Sequence, residues 1–247
     1  MRWQRVVTLV AVCSARLVLA CENDPLRDAR AAFVNEVGGI SFDSTYGERI
    51  ACQAELLIHE DQLKFDSSQF FLLVDRNPDA QIAFLAFYDR EEEERKVVLL
   101  GADKISTGNP KRRGYFETPV GVFENSPSNF SYRALGTKNS HGWRGLGVKG
   151  SRVWDLGWQR ALKQNNEPID IRLLVHATDP GNGEPRLGTV QSKGCVRISA
   201  RLNQFLDYYG VLDREYSVSE NGRRVLLKKR DPIPFFGKNV VVVDSRS

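Results

Sequence analysis

The chain has 247 residues, of which 41% are hydrophobic and 27% charged, enough for one domain of ordinary core size with an appendage or for two small domains. Four cysteines over this length exclude a disulfide scaffold. The net charge of +4 is concentrated at the start: removing residues 1–20 takes away Arg2, Arg5 and Arg16 and no acid, so 35 basic residues fall to 32 against 31 acids. That balance lacks the basic excess of a nucleic-acid binder, and the mean hydropathy is too low for a multispanning membrane protein.

Met1–Arg5 is a short basic head and Val6–Ala20 is mostly apolar, but it is too short and interrupted to span a hydrocarbon core of ~30 Å. It predicts an export signal over residues 1–20. Val18-Leu19-Ala20-Cys21 resembles a lipobox, which predicts lipidation of Cys21 and membrane attachment through that N-terminal anchor alone. Leu19 and Arg16 are the departures from the pattern.

Residues 21–65 then read as a helical segment. Asp24-Pro25 opens one helix, with a capping side chain before a first-turn proline, and Gly38-Gly39 stops it. A second helix is predicted over 48–60, where Ile50, Ala54, Leu57 and Ile58 follow helical spacing and Cys52 is read as a buried, inert thiol. From residue 66 to 247 the chain reads as one mainly β (α+β) domain. Strands are predicted at Phe70–Val74, Gln81–Tyr88, Lys96–Leu100, Ile169–His176, Arg224–Lys228 and Asn239–Val243. Residues 124–168 form a long insert with a helical piece around Trp154–Lys163, of the length that serves as a lid in compact domains. Ser199 caps a helix whose stripe is Leu202, Phe205, Leu206 and Tyr209, ended by Gly210.

The chemistry concentrates in Val175-His176-Ala177-Thr178 and Gln191-Ser192-Lys193-Gly194-Cys195-Val196-Arg197. Thiol-based acyl transfer needs a thiolate, an imidazole to manage its proton and donors for an oxyanion. His176 ends a strand on the face opposite the stripe Ile169, Ile171, Leu173 and Val175, which suits a base facing a cleft. Lys193 and Arg197 flank the thiol and are expected to favour its ionised form. Gly194 frees the backbone before the nucleophile, so the amides of Gly194 and Cys195 are expected to face the oxyanion.

His176 through Arg197 resembles the active-site signature of the L,D-transpeptidase (YkuD-type) catalytic domain, a first His at a strand end followed by Ser-His-Gly-Cys-x-Arg/Asn. Upstream, Ser106-Thr107-Gly108 and Glu117-Thr118-Pro119-Val120-Gly121-Val122-Phe123 resemble the family's approach to that site. Together the similarity spans roughly residues 68–244. It implies a YkuD-like mixed β-sandwich with a helix after the active-site cysteine, Cys195 as nucleophile, and His176 as base oriented by the carbonyl of Ala177. It further implies peptidoglycan stem peptides as substrate, with a neighbouring stem, a free D-amino acid or a wall-attached protein as acceptor, and no cofactor or metal. Lys193 stands where the family carries its second His, and is expected to lower the thiol pKa.

Other positions have two readings. Arg197 anchors substrate or the loop, and Ser192 shares its motif. His141 and Trp143 line a substrate groove or decorate the insert, and Trp143, Trp154 and Trp158 stack on sugar rings or pack the insert. Lys111-Arg112-Arg113 meets an acidic polymer or only solvent. If water reaches the thioester before an amine, the same machinery is a carboxypeptidase or endopeptidase; with a disabled site, the protein is a non-catalytic wall binder.

Overall fold

The computed structural model describes residues 24–93 and 96–246. The export signal over 1–20 and lipidation at Cys21 lie outside the described residues. Among the described residues the fold is mixed α+β, with two mixed sheets and four α-helices. Asp24 accepts a hydrogen bond from the Leu26 amide to start α1 (Pro25–Glu36), and Asp43 accepts from the Tyr46 amide to start α2 (Ser44–Glu60). That second cap explains why α2 begins four residues before the predicted start.

β1 (Gln69–Asp75), β2 (Ile82–Tyr88) and β3 (Val97–Lys104) form an antiparallel meander, followed by β4 (Gly121–Glu124). Next come β5 (Tyr132–Arg133), β6 (Arg152–Leu162), β7 (Pro168–Ala177) and β8 (Val196–Ile198). α3 (Ala200–Tyr208), the short α4 (Arg214–Val218) and β9 (Asn239–Val243) complete the chain. The first sheet has the order β3-β2-β1-β9-β4, with β9 parallel to β1; the second is β5-β6-β7-β8, with β8 parallel to β7.

Alternation along the strands sorts two cores. Phe71, Leu73, Phe84, Val241 and Val243 meet Ile50, Ala54 and Ile58 of α2 on one face of the first sheet. Phe70, Leu72, Val74, Val240 and Val242 meet Trp154, Leu173, Val175 and Val196 of the second sheet on the other, with Phe33 of α1 and Phe205 of α3 beside them. Each such buried side chain contributes about 1.5–3 kcal/mol. The first sheet is thus covered on both faces. The second packs its inner face on the first, and its outer face carries the candidate site, partly covered so that Val153 and His176 are buried there.

Three local predictions are corrected. Trp154–Lys163 is not helical: Trp154–Leu162 lies in β6, where Gly157, at φ +81°, makes a bulge between Asp155 and Trp158, so the apolar residues change face part-way and mimic helical spacing. Arg224–Lys228 is not a strand; a 3-10 turn covers Gly222–Val225. Cys52 is exposed, because a residue two positions from Ile50 and Ala54 lies on the other side of a helix. Among the described residues no helix is long and apolar enough to cross a membrane.

Candidate active site

In the parallel pair β7–β8, Val175 lies opposite Val196 and His176 opposite Arg197. Val175 and Val196 enter the core, so His176 and Arg197 share the outer face. Cys195, just before β8, continues this alternation onto the side of His176, level with Leu174.

The His176 ring is 4% exposed, and its Nδ1 is 2.6 Å from the Ala177 carbonyl oxygen. A carbonyl only accepts, so Nδ1 carries the proton and Nε2 keeps its lone pair. Burial pushes the His176 pKa down to about 4; the bond to Ala177 opposes this and the charge of Arg197 assists it. The imidazole is therefore neutral above that pH.

The Cys195 thiol is half-buried and donates to the Arg172 carbonyl, 3.7 Å away. Burial raises its pKa, outweighing the Leu174 amide and the Arg197 charge, which favour the thiolate; Asp155 adds to the rise. The resting pair is neutral thiol and neutral imidazole. No hydrogen bond joins the two side chains among the described residues. The expected depression of the thiol pKa by Lys193 is corrected: Lys193 is exposed, with Nζ 5.8 Å from the Tyr115 ring centroid, and the cation that acts on the thiol is Arg197.

The loop carrying Cys195 is tied to the two upstream motifs. Ser106 and Arg197 exchange backbone hydrogen bonds of 2.9 Å, and the Gln191 and Ser192 amides both donate to the Thr107 carbonyl. Buried Thr118 accepts from the Gly108 amide at 2.9 Å and donates to the Gly194 carbonyl at 2.8 Å. Gly194 sits at φ +127°, and a Cβ there would fall 2.5 Å from Ile171 Cδ1, so only glycine fits.

One expected oxyanion donor is corrected. The Gly194 amide is taken by the Ser192 hydroxyl at 3.0 Å, and that hydroxyl in turn donates to the Cys195 carbonyl. Ser192 therefore shapes the loop from a buried position. The Cys195 amide takes no backbone partner among the described residues and remains the donor at hand.

A cleft of about 280 Å³ opens beside the loop that carries Cys195, lined among others by Tyr115, His141, Trp143, Arg186, Lys193 and Arg197. Arg112, His141, Trp143, Lys193 and Arg197, all singled out in the sequence, thus meet there, although Cys195 and His176 are not in its lining. His141 is exposed in a turn, and the Trp143 ring carries the Arg186 guanidinium at 4.3 Å. Trp154 is core, whereas Trp158 is 66% exposed.

Several residues were not singled out from sequence. Buried Gln81, at φ +51°, pairs with Thr107 through both amide atoms, at 2.6 and 2.8 Å. No pattern marks it. Arg172 chelates Asp155 through Nε at 2.9 Å and a terminal nitrogen at 2.8 Å, beside Trp158 and Tyr132. The outward alternation of β7 marks Arg172, but the helical reading of β6 hid its partner. Asp179 accepts from the Arg144 amide and guanidinium, at 3.0 and 3.5 Å, tying the insert to the loop after β7. That bonding, led by the Arg144 amide, holds its carboxyl below the usual range.

Among the described residues no three His, Cys, Asp or Glu side chains gather as a metal-holding set. No family model matches the chain, and no curated protein matches it.

Proposed function

We propose that the protein is a cysteine acyltransferase of the cell envelope, with a YkuD-like L,D-transpeptidase domain acting on peptidoglycan stem peptides. The observation that carries the reading is the Nδ1 bond of His176 to the Ala177 carbonyl, which leaves the Nε2 lone pair free to take a proton on the strand beside Cys195. The motif similarity supplies the substrate class.

An imidazole with a pKa near 4 does not hold the proton of a thiol whose pKa is raised. Proton transfer then accompanies attack rather than preceding it. The thiol leaves the Arg172 carbonyl and gives its proton to Nε2 as sulfur bonds to the carbonyl carbon of the stem's third, diamino-acid residue. The oxyanion meets the Cys195 amide. Collapse breaks the C–N bond, and the acidic imidazolium protonates the departing amine of D-Ala, leaving a thioester. An acceptor amine attacks that thioester, losing a proton to Nε2, and expels the thiol. The step needs no cofactor.

The clasp of Asp179 on Arg144 favours amine over water, because it holds the insert against the end of β7. Export and anchoring through Cys21 belong to the same proposal.

Purified protein with a disaccharide-tetrapeptide, its products weighed beside a Cys195→Ala control, tests the reading. A dimer lighter by one D-Ala, absent in the control, is the expected result. Tripeptide without dimer would make the protein a hydrolase, and no product on free or cross-linked stems would reject the substrate class.

A further inference from the structure

The cleft beside the Cys195 loop holds far more positive than negative charge. Arg112, Arg144, Arg186, Lys193 and Arg197 line it against the single carboxylate of Asp179. That carboxylate is spent: it is 5% exposed and binds the Arg144 side chain and amide together with the amides of Gly181 and Asn182. Arg112, Arg186, Lys193 and Arg197 make no ion pair among the described residues.

These four cations are gathered rather than scattered. Arg112 lies 4.4 Å from the Tyr115 ring centroid and Lys193 lies 5.8 Å from the same ring, so two like charges converge on one aromatic side chain. Across the cleft Trp143 holds Arg186 at 4.3 Å. Arg197 Nε is buried without a hydrogen-bond partner. Burial also lowers the Arg197 pKa, as expected for a charge without a counter-ion. Like charges held together repel, and an orphaned guanidinium N–H is costly; an anion relieves both. Guanidinium groups favour planar, two-oxygen partners, and one carboxylate neutralises only one of four charges.

We propose that this cleft is an anion-binding subsite that holds its ligand through two carboxylates, one of them held at its inner end by Arg197, the cation that acts on the thiol. That the ligand is a stem peptide rests on the acyl-transfer reading; that the cleft takes a dicarboxylate does not. The subsite selects substrates whose carboxyl groups are free and discriminates against amidated ones, because amidation removes the charge while keeping the shape. A phosphate ester offers the same oxyanion chemistry, so the test separates the two.

Binding is measured by calorimetry on the whole protein carrying Cys195→Ala, which removes turnover. The probes are a stem tetrapeptide with free carboxyl groups, the same peptide fully amidated, glutarate and inorganic pyrophosphate. Amidation is expected to weaken binding by about tenfold or more, since each charge-assisted contact carries about that factor. Arg112→Gln and Arg186→Gln alter exposed side chains. Both are expected to weaken the free peptide and glutarate while leaving the amidated peptide unchanged, and their melting temperatures verify the fold. Equal affinity for the free and amidated peptides overturns the proposal. So does pyrophosphate binding with glutarate and free peptide both silent, which assigns the cleft to phosphate. Glutarate binding that depends on Arg112 and Arg186, without stem turnover by the wild type, rejects the acyl-transfer reading and keeps the subsite. Turnover with no effect of amidation does the reverse.

Discussion

The two sheets use the same alternation to opposite ends. All seven residues of β1 and all five of β9 are buried, because α2 covers one face of the first sheet and the second sheet covers the other. In the second sheet the inner positions Leu173 and Val175 of β7 pack into the core with Trp154 and Val196. Its outer positions carry Arg172, Leu174 and His176, with Cys195 and Arg197 alongside. A doubly covered sheet has no surface from which to do chemistry. A sheet whose outer face is only partly covered can hold a thiol and an imidazole in fixed register there while its inner face supplies rigidity.

Truncation sharpens that contrast most. Leu73→Ala in β1 empties a site with no exposure and is expected to cost ~3 kcal/mol in urea unfolding. Leu174→Ala, half-buried on the outer face of β7, is expected to cost ~1 kcal/mol or less. Equal costs would make the outer face a core like the others.

The next effect is pH-dependent. The pKa of folded His176, about 4, lies below its unfolded value of ~6.5, so the folded state gives up protons that the unfolded state binds. Its contribution is complete above ~6.5 and is lost as pH falls from there towards about 4, by ~3 kcal/mol in all. Unfolding of the wild type and His176→Gln at pH 7 and 4.5 checks this: the variant should lose that slope. An unchanged slope would mean that His176 is not the buried neutral group.

A smaller effect is expected from Thr118→Val. It removes the two hydrogen bonds joining Gly108 to Gly194 and should destabilise by ~2 kcal/mol, read by unfolding. Smaller still is the behaviour of the thiol itself. In a Cys52→Ser background, Cys195 should alkylate with iodoacetamide more slowly than free cysteine at neutral pH, its rate still climbing above pH ~8.5. A rate plateau between pH 5 and 7 would reveal a preformed ion pair.

Legibility in the sequence divides along the same line. β1, β2 and β9 are near-continuous apolar runs, and the end of β9 at Val243 was placed from sequence because burial on both faces leaves no ambiguous residue. β6 is not legible as a strand because Gly157 bulges it and turns its apolar residues over mid-way. Within the site, the spacing of His176 and Cys195 and the Ser106-Thr107-Gly108 segment were visible as motifs. Their joining through Thr118 and Gln81 was not, since it depends on tertiary hydrogen bonds. Lys193 is a related case: adjacency in sequence suggests a place by the thiol, whereas its side chain turns to Tyr115. The Asp155–Arg172 pair was lost together with β6.

The central claim, that Cys195 is the nucleophile and His176 moves its proton, is tested most directly by acid-quenched intact-mass measurement during turnover of the stem tetrapeptide. The expected result is a species heavier by the acyl portion of the donor, mapped to Cys195. That species should be absent in Cys195→Ala and should form orders of magnitude more slowly in His176→Gln. Turnover by Cys195→Ala, or an adduct mapped to another residue, would contradict it.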